Sequence, residues 1–175
     1  MISSCIETVA IGSLGASYLM TRAKPVKESV TDAKIAADIT RRFTSSEYRK
    51  EFKKVSYNVY QGRVLLTGFA QNKKFLNQAI KNIWKIKGVD ELMNEVNLDE
   101  PKKRNIAFDH LLATQIKTRL FLNEKIKSLD INVEVYNKKV FLIGNLNNNS
   151  EIKIASKIAG RVKGVKEVTS YLRSI

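Results

Sequence analysis

The sequence predicts an α+β protein made of two tandem α-β-β-α-β units, each a three-stranded mixed sheet with two helices on one face. Three observations predict it. A block of the chain recurs at nearly constant spacing, the hydrophobic period switches between helix and strand in the same order in both copies, and turn residues stand where that order needs them. Val59-Tyr60-Gln61-Gly62-Arg63-Val64-Leu65-Leu66-Thr67-Gly68 returns as Val135-Tyr136-Asn137-Lys138-Lys139-Val140-Phe141-Leu142-Ile143-Gly144, 76 residues later. Ala79 falls on Ala155 and Lys87-Gly88-Val89 on Lys163-Gly164-Val165 at the same shift, while Ile35–Arg42 meets Leu112–Arg119 at 77.

The elements follow in order. The first helix, expected over about 32–44 and 107–122, places Ile35, Ile39, Phe43 and then Leu112, Ile116, Leu120 at helical spacing. The first strand alternates, with Val55, Tyr57, Val59 against Ser56, Asn58, Tyr60, and Ile131, Val133, Val135 against Asn132, Glu134, Tyr136. Gln61-Gly62 and Asn137-Lys138 supply the hairpin turns. The second strand is apolar throughout (Val64–Leu66, Val140–Ile143), which predicts that both of its faces are covered. The second helix buries Leu76, Ala79, Ile80 and Ile83, then Ala155, Ile158, Ala159 and Val162, and Gly88 and Gly164 end it as C-caps. The last strand is expected from Val89 and Val165. The chain then divides into an N-terminal segment and tether at 1–29, a first unit at 30–98, a linker at 99–106 and a second unit at 107–175. A unit this small has a thin core, so the two are expected to pack on each other.

Composition limits the function. The chain has 175 residues, 43% hydrophobic and 27% charged, an ordinary globular mixture. Its net charge of +14 points to an anionic partner, nucleic acid or a phospholipid surface, or else to a solvated basic surface. One cysteine excludes an intrachain disulfide and one histidine, His110, excludes a His-based metal cluster; His110 reads as a surface residue. The best apolar run, Thr8–Met20, is too short to span a bilayer. No GxSxG, P-loop or supported carboxylate pair is present, so neither catalysis, nor a cofactor, nor a small-molecule substrate is expected.

The pattern Gly62-Arg63-Val64-Leu65-Leu66-Thr67-Gly68, Ala79, Gly88-Val89, repeated as Val140–Gly144, Ala155 and Gly164-Val165-Lys166-Glu167-Val168, resembles the BON domain of bacterial envelope proteins. Lys138 stands where the motif has its hairpin glycine. A cysteine near the start followed by two such units is similar to the dual-BON outer-membrane lipoproteins. That resemblance implies a lipidated cysteine, the periplasmic face of the outer membrane, binding of anionic phospholipid, support of envelope integrity and no enzymatic activity. Outer-membrane assembly proteins are a second class of partner it would allow.

Ile2-Ser3-Ser4-Cys5 itself fits a lipobox, an aliphatic residue at −3 and small residues before the cysteine that takes the lipid. A secretory signal needs a basic segment and an apolar stretch of about 7–15 residues. The lipidated reading therefore places the signal upstream of Met1, and the alternative is an ordinary thiol.

The repeat supplies its own control for a ligand site. Phe108, Leu111, Gln115, Thr118 and Leu122 form a stripe on the first helix of the second unit, whereas the first unit has Thr31, Lys34, Asp38, Arg41 and Ser45 there. Lys117 and Arg119 share the helix, and Lys125 and Lys127 follow it. An apolar ridge beside cations suits an anionic membrane surface; the alternative is packing against the first unit. The competing functions are a scaffold for envelope proteins and a KH-like RNA-binding protein. The latter needs a GxxG loop, matched only by Gly12–Gly15 outside both units, and open aromatics, for which Tyr57, Tyr60 and Tyr136 are the candidates.

Overall fold

Ile35, Ile39 and Phe43, four residues apart, stack along one side of a helix and are all buried. They belong to α1 (Val26–Phe43), the first element of a computed structural model that describes residues 26–44 and 54–175, with side chains from Thr31 onward. Cys5, the 1–25 segment and Gly12–Gly15 lie outside the described residues. The first unit continues with β1 (Val55–Tyr60), β2 (Arg63–Phe69), α2 (Lys73–Trp84) and β3 (Glu91–Asn97). The second repeats the order as α3 (Ile106–Phe121), β4 (Ile131–Tyr136), β5 (Lys139–Leu146), α4 (Asn149–Gly160) and β6 (Glu167–Ser174), with a 3₁₀ turn at Ser128–Asp130 before β4.

Each unit is the mixed sheet that the sequence predicts. β1 and β2 pair antiparallel through a two-residue turn, Tyr60 opposite Arg63, and β3 joins parallel to β2. β4, β5 and β6 repeat this, with Tyr136 opposite Lys139. Both central residues of each turn have positive φ, at Gln61 49° and Gly62 74°, then Asn137 49° and Lys138 66°. This is the turn that matches the twist of paired strands, and Lys138 adopts the conformation that glycine takes in the first copy. Gly68 and Gly144 have a different reason. A Cβ on either would come within 2.2 Å of the Lys54 carbonyl oxygen or 1.9 Å of that of Asp130, so the first strand can cross the second closely only where no side chain exists.

Three boundaries differ from expectation. α1 begins at Val26 rather than near residue 32. β3 and β6 begin at Glu91 and Glu167, two residues late, because Val89 and Val165 still donate their N–H groups to Ile86 and Val162 in the turn that follows each helix. The second helices end earlier than Gly88 and Gly164, at caps Lys85 and Arg161 in right-handed conformation. The glycines redirect the chain beyond the cap rather than forming it.

The two units join through their sheets. In each, one sheet face lies under its own helices: Val64 and Leu66 pack with Ile35, Ile39, Ala79 and Ile83, and Val140 and Leu142 with Leu112, Ile116, Ala155 and Ala159. Strand alternation turns the remaining residues to the opposite face. There Tyr60, Leu65, Phe69 and Met93 form one cluster with Tyr136, Phe141 and Ile143. The result is a four-layer stack, helices, sheet, sheet, helices, which explains why β2 and β5 are apolar on both faces. Polar bonds cross the seam as well, from Asn132 Nδ2 to Asn58 Oδ1 at 2.8 Å, Asn145 N to the Tyr60 hydroxyl at 3.2 Å, and Arg63 Nη2 to the Tyr171 carbonyl at 2.8 Å.

Candidate functional site

α3 carries the stripe that sets the second unit apart, and its N-terminal end is tied down. Asn105 caps the N-terminus, its side-chain oxygen accepting the Phe108 N–H at 2.9 Å. One turn in, the Asp109 carboxylate is buried and accepts the backbone N–H groups of Asn137 and Lys138, both at 2.9 Å, and Arg104 Nε at 3.0 Å. The helix is thereby tied to the β4–β5 hairpin. Asp32 does the same in the first unit, accepting Gln61 N at 2.8 Å and Gly62 N at 2.9 Å. Sequence reasoning missed this pair, although the 77-residue shift superposes them. Leu112, Ile116 and Leu120 hold the inner side of α3 in the core.

With the inner side committed, the outer side is presented to solvent. Leu111 is 49% exposed, and Leu122, the C-cap whose N–H bonds to the Thr118 carbonyl at 3.0 Å, is 72% exposed. Thr118, Lys117 and Arg119 are exposed and Gln115 is half-buried between the ridge and the core. Phe108 sits differently. It is half-buried against the unit's core, Lys138 Nζ stands 5.3 Å from its ring centre, and a Cβ at Gly164 would lie 2.7 Å from its Cζ. Phe108 thus forms the base of the stripe and its tip is Leu111 and Leu122.

The structure adds Phe121, 67% exposed at the end of the helix and one turn beyond Lys117. Its counterpart 77 residues earlier is the exposed Thr44, so the comparison between copies contained this signal on a second flank of the helix. Arg119 stands three residues before Leu122 and four after Gln115, so cations border the apolar tip on both sides. Lys125 and Lys127 beyond the helix are exposed too. None of these residues belongs to the apolar cluster that joins the two units, which draws only on the sheets.

Glu134 lies on β4 between Val133 and Val135, which face the helices, and so on the opposite face of the sheet; its carboxyl is pushed above the ordinary range by burial, an effect that the positive charges of Lys117, Arg104 and His110 oppose. The aromatics that an RNA platform would need are engaged in packing: Tyr60 and Tyr136 are buried, the Arg104 guanidinium lies 4.1 Å from the Tyr136 ring centre, and the Tyr57 hydroxyl donates to the Ala36 carbonyl at 3.0 Å. No described helix is long and apolar enough to cross a membrane.

These features define a tandem α+β protein with a solvent-facing helix in its second unit and no open sheet surface between units. Residues 31–100 and 108–174 each match the BON domain, and the chain belongs to the BON-domain family. It is 34% identical over 124 residues to an "Uncharacterized protein in gshII 5′region" of Anaplasma centrale, covering 70% of this chain and 82% of that protein. It is 28% identical over 174 residues to the outer membrane lipoprotein DolP of Haemophilus influenzae, covering 98% of this chain and 89% of that one. A third relative, the 21 kDa hemolysin of Actinobacillus pleuropneumoniae, is 27% identical over 151 residues, 86% of this chain and 75% of its own.

Proposed function

We propose that this protein is a non-enzymatic, lipid-anchored envelope protein that binds anionic phospholipid through α3 of its second BON domain and supports outer-membrane integrity. Cys5 is the proposed anchor, and the periplasmic face of the outer membrane the proposed location. Similarity along nearly the whole chain to an outer membrane lipoprotein supports the location. The observation that carries the binding reading is the exposed apolar tip of α3, Leu111, Phe121 and Leu122, set between Lys117 and Arg119 and free of the seam between units. Apolar side chains left in water on a well-packed domain mark a contact surface. Near an anionic bilayer each flanking cation adds about 1 kcal/mol of attraction.

Full burial of a leucine side chain contributes about 1.5–3 kcal/mol, and partial insertion about half. Leu111→Asp combined with Leu122→Asp is therefore expected to weaken sedimentation with phosphatidylglycerol vesicles by about tenfold or more. Lys34→Asp, at the position of the first unit matching Leu111, changes charge without removing an apolar contact and should do much less. Added salt should weaken the wild type only in part, since the apolar contribution is not screened. Wild-type sedimentation by the double variant, with its fold intact by circular dichroism, would remove α3 as the lipid site.

A further inference from the structure

The four-layer stack places the helices of the two units on opposite sides of the molecule, and both sides are cationic. On the described helix side chains, Asp32, Asp109 and Glu151 are buried within the fold, and Asp38 is paired with Arg41 at 2.7 Å. The solvent-facing charges that remain on those helices are lysines and arginines. The side formed by the first unit has its own apolar feature. Trp84, the last residue of α2, is 50% exposed, with Lys81 one turn before it and Lys85 as the cap beside it, both exposed. The same place in the second unit, 76 residues on, holds Gly160. An exposed indole bordered by lysines is suited to the headgroup level of a bilayer, where the ring enters the apolar boundary, its N–H stays wet and the cations meet anionic headgroups.

We propose that Trp84, with Lys81 and Lys85, forms a second anionic-bilayer contact on the side of the molecule opposite α3, so that one molecule bridges two membrane surfaces. This rests on the lipid-binding reading of α3, and the two can fail separately. Charge complementarity selects the occupant, because the described helix side chains leave lysines and arginines facing solvent while the accessible acidic groups lie off the helices, on strands, on the linker and at Asp90 and Glu124 in loops.

Trp84 is the only tryptophan in the chain, so the intrinsic emission of the unlabelled protein reports its surroundings alone. The full chain is mixed with phosphatidylglycerol vesicles, with phosphatidylcholine vesicles as control, and sedimentation, Trp84 emission, quenching by brominated lipid and turbidity are recorded. The expected result for wild type on anionic vesicles is sedimentation, a blue shift, quenching and rising turbidity. Trp84→Ala should still sediment through α3 but lose the turbidity. Leu111→Asp with Leu122→Asp, though it sediments less, should still show Trp84 quenching in the fraction that stays bound, and should also lose the turbidity. Wild type that sediments while Trp84 emission stays unchanged overturns the second contact and leaves α3 standing. Turbidity undiminished in Trp84→Ala overturns it equally. Wild type that does not sediment at all removes both contacts.

Discussion

Two aspartates perform one task in the two halves of this protein. Asp32 and Asp109 are buried, and each gathers two backbone N–H groups at a hairpin turn, groups that no strand partner can satisfy because the chain reverses there. Removing an acceptor leaves largely part-buried donors unpaired, at up to about 1–3 kcal/mol for each. Asp109→Ala should therefore lower the urea midpoint strongly, and Asp109→Asn, which keeps one acceptor, less so. The opposite sign is expected at Thr67, whose Oγ1 is buried without a partner on β2 where the second unit has Ile143. Thr67→Val should raise stability by about 1 kcal/mol, because it removes a hydroxyl that folding strips of water and does not repay. Glu134 adds a pH dependence. Burial first of all raises its carboxyl pKa, so its favourable contribution is complete below the unfolded pKa and is lost as pH rises through the folded value. Glu134→Gln should accordingly raise the melting temperature at neutral pH, with the gain shrinking toward about pH 4. The repeat made the position of Asp109 legible in the sequence but not its role, since the bonds reach a hairpin 28 and 29 residues away.

At the scale of elements, α1 and α3 are the same helix with different outer sides. Their buried ridges, Ile35, Ile39, Phe43 and Leu112, Ile116, Leu120, follow from spacing alone, and sequence reading finds them because a core ridge is periodic. The outer stripe was legible only by comparing the copies. Its division was not: Phe108 and Leu111 look alike in sequence, yet Phe108 reaches the space that Gly164 leaves open while Leu111 faces water. That depends on a residue more than fifty positions away, which local periodicity does not report. The distinction is measurable. Phe108→Ala should cost about 2–4 kcal/mol, near the range for large-to-small changes at the edge of a core, and Leu122→Ala should stay within about 0.5 kcal/mol. Equal losses from the two would mean that the tip of α3 is packed rather than free.

For the whole molecule, the seam between sheets decides what is left exposed. Uniform hydrophobicity of β2 and β5 foretold that both faces would be covered; what covers the second face was open, because a half-molecule offers both its helices and its sheet as candidates. The sheets win, with Leu65 and Phe141 almost fully buried between them. Phe141→Ala should cost about 3–5 kcal/mol and loosen the two units from each other, read as a loss of coincidence between their unfolding transitions. The Tyr171 hydroxyl, bonded across the seam to the Glu95 carboxylate, is pushed up to about 12, by burial first and then by that bond. Its contribution is complete below the ordinary tyrosine pKa of 10.0 and is lost as pH rises through about 12. Tyr171→Phe should flatten the alkaline fall in stability over that interval.

Because the seam uses the sheets, α3 is free to meet a membrane, and that claim can be read amide by amide. Spin-labelled lipid placed in phosphatidylglycerol bicelles broadens the nuclear magnetic resonance signals of protein segments that touch the bilayer. Within the second unit, the amides of Leu111, Thr118, Phe121 and Leu122 are expected to broaden most and those of β4 and β5 to stay sharp. Sharp α3 signals in a sample where the protein is demonstrably bound to the bicelles would contradict it.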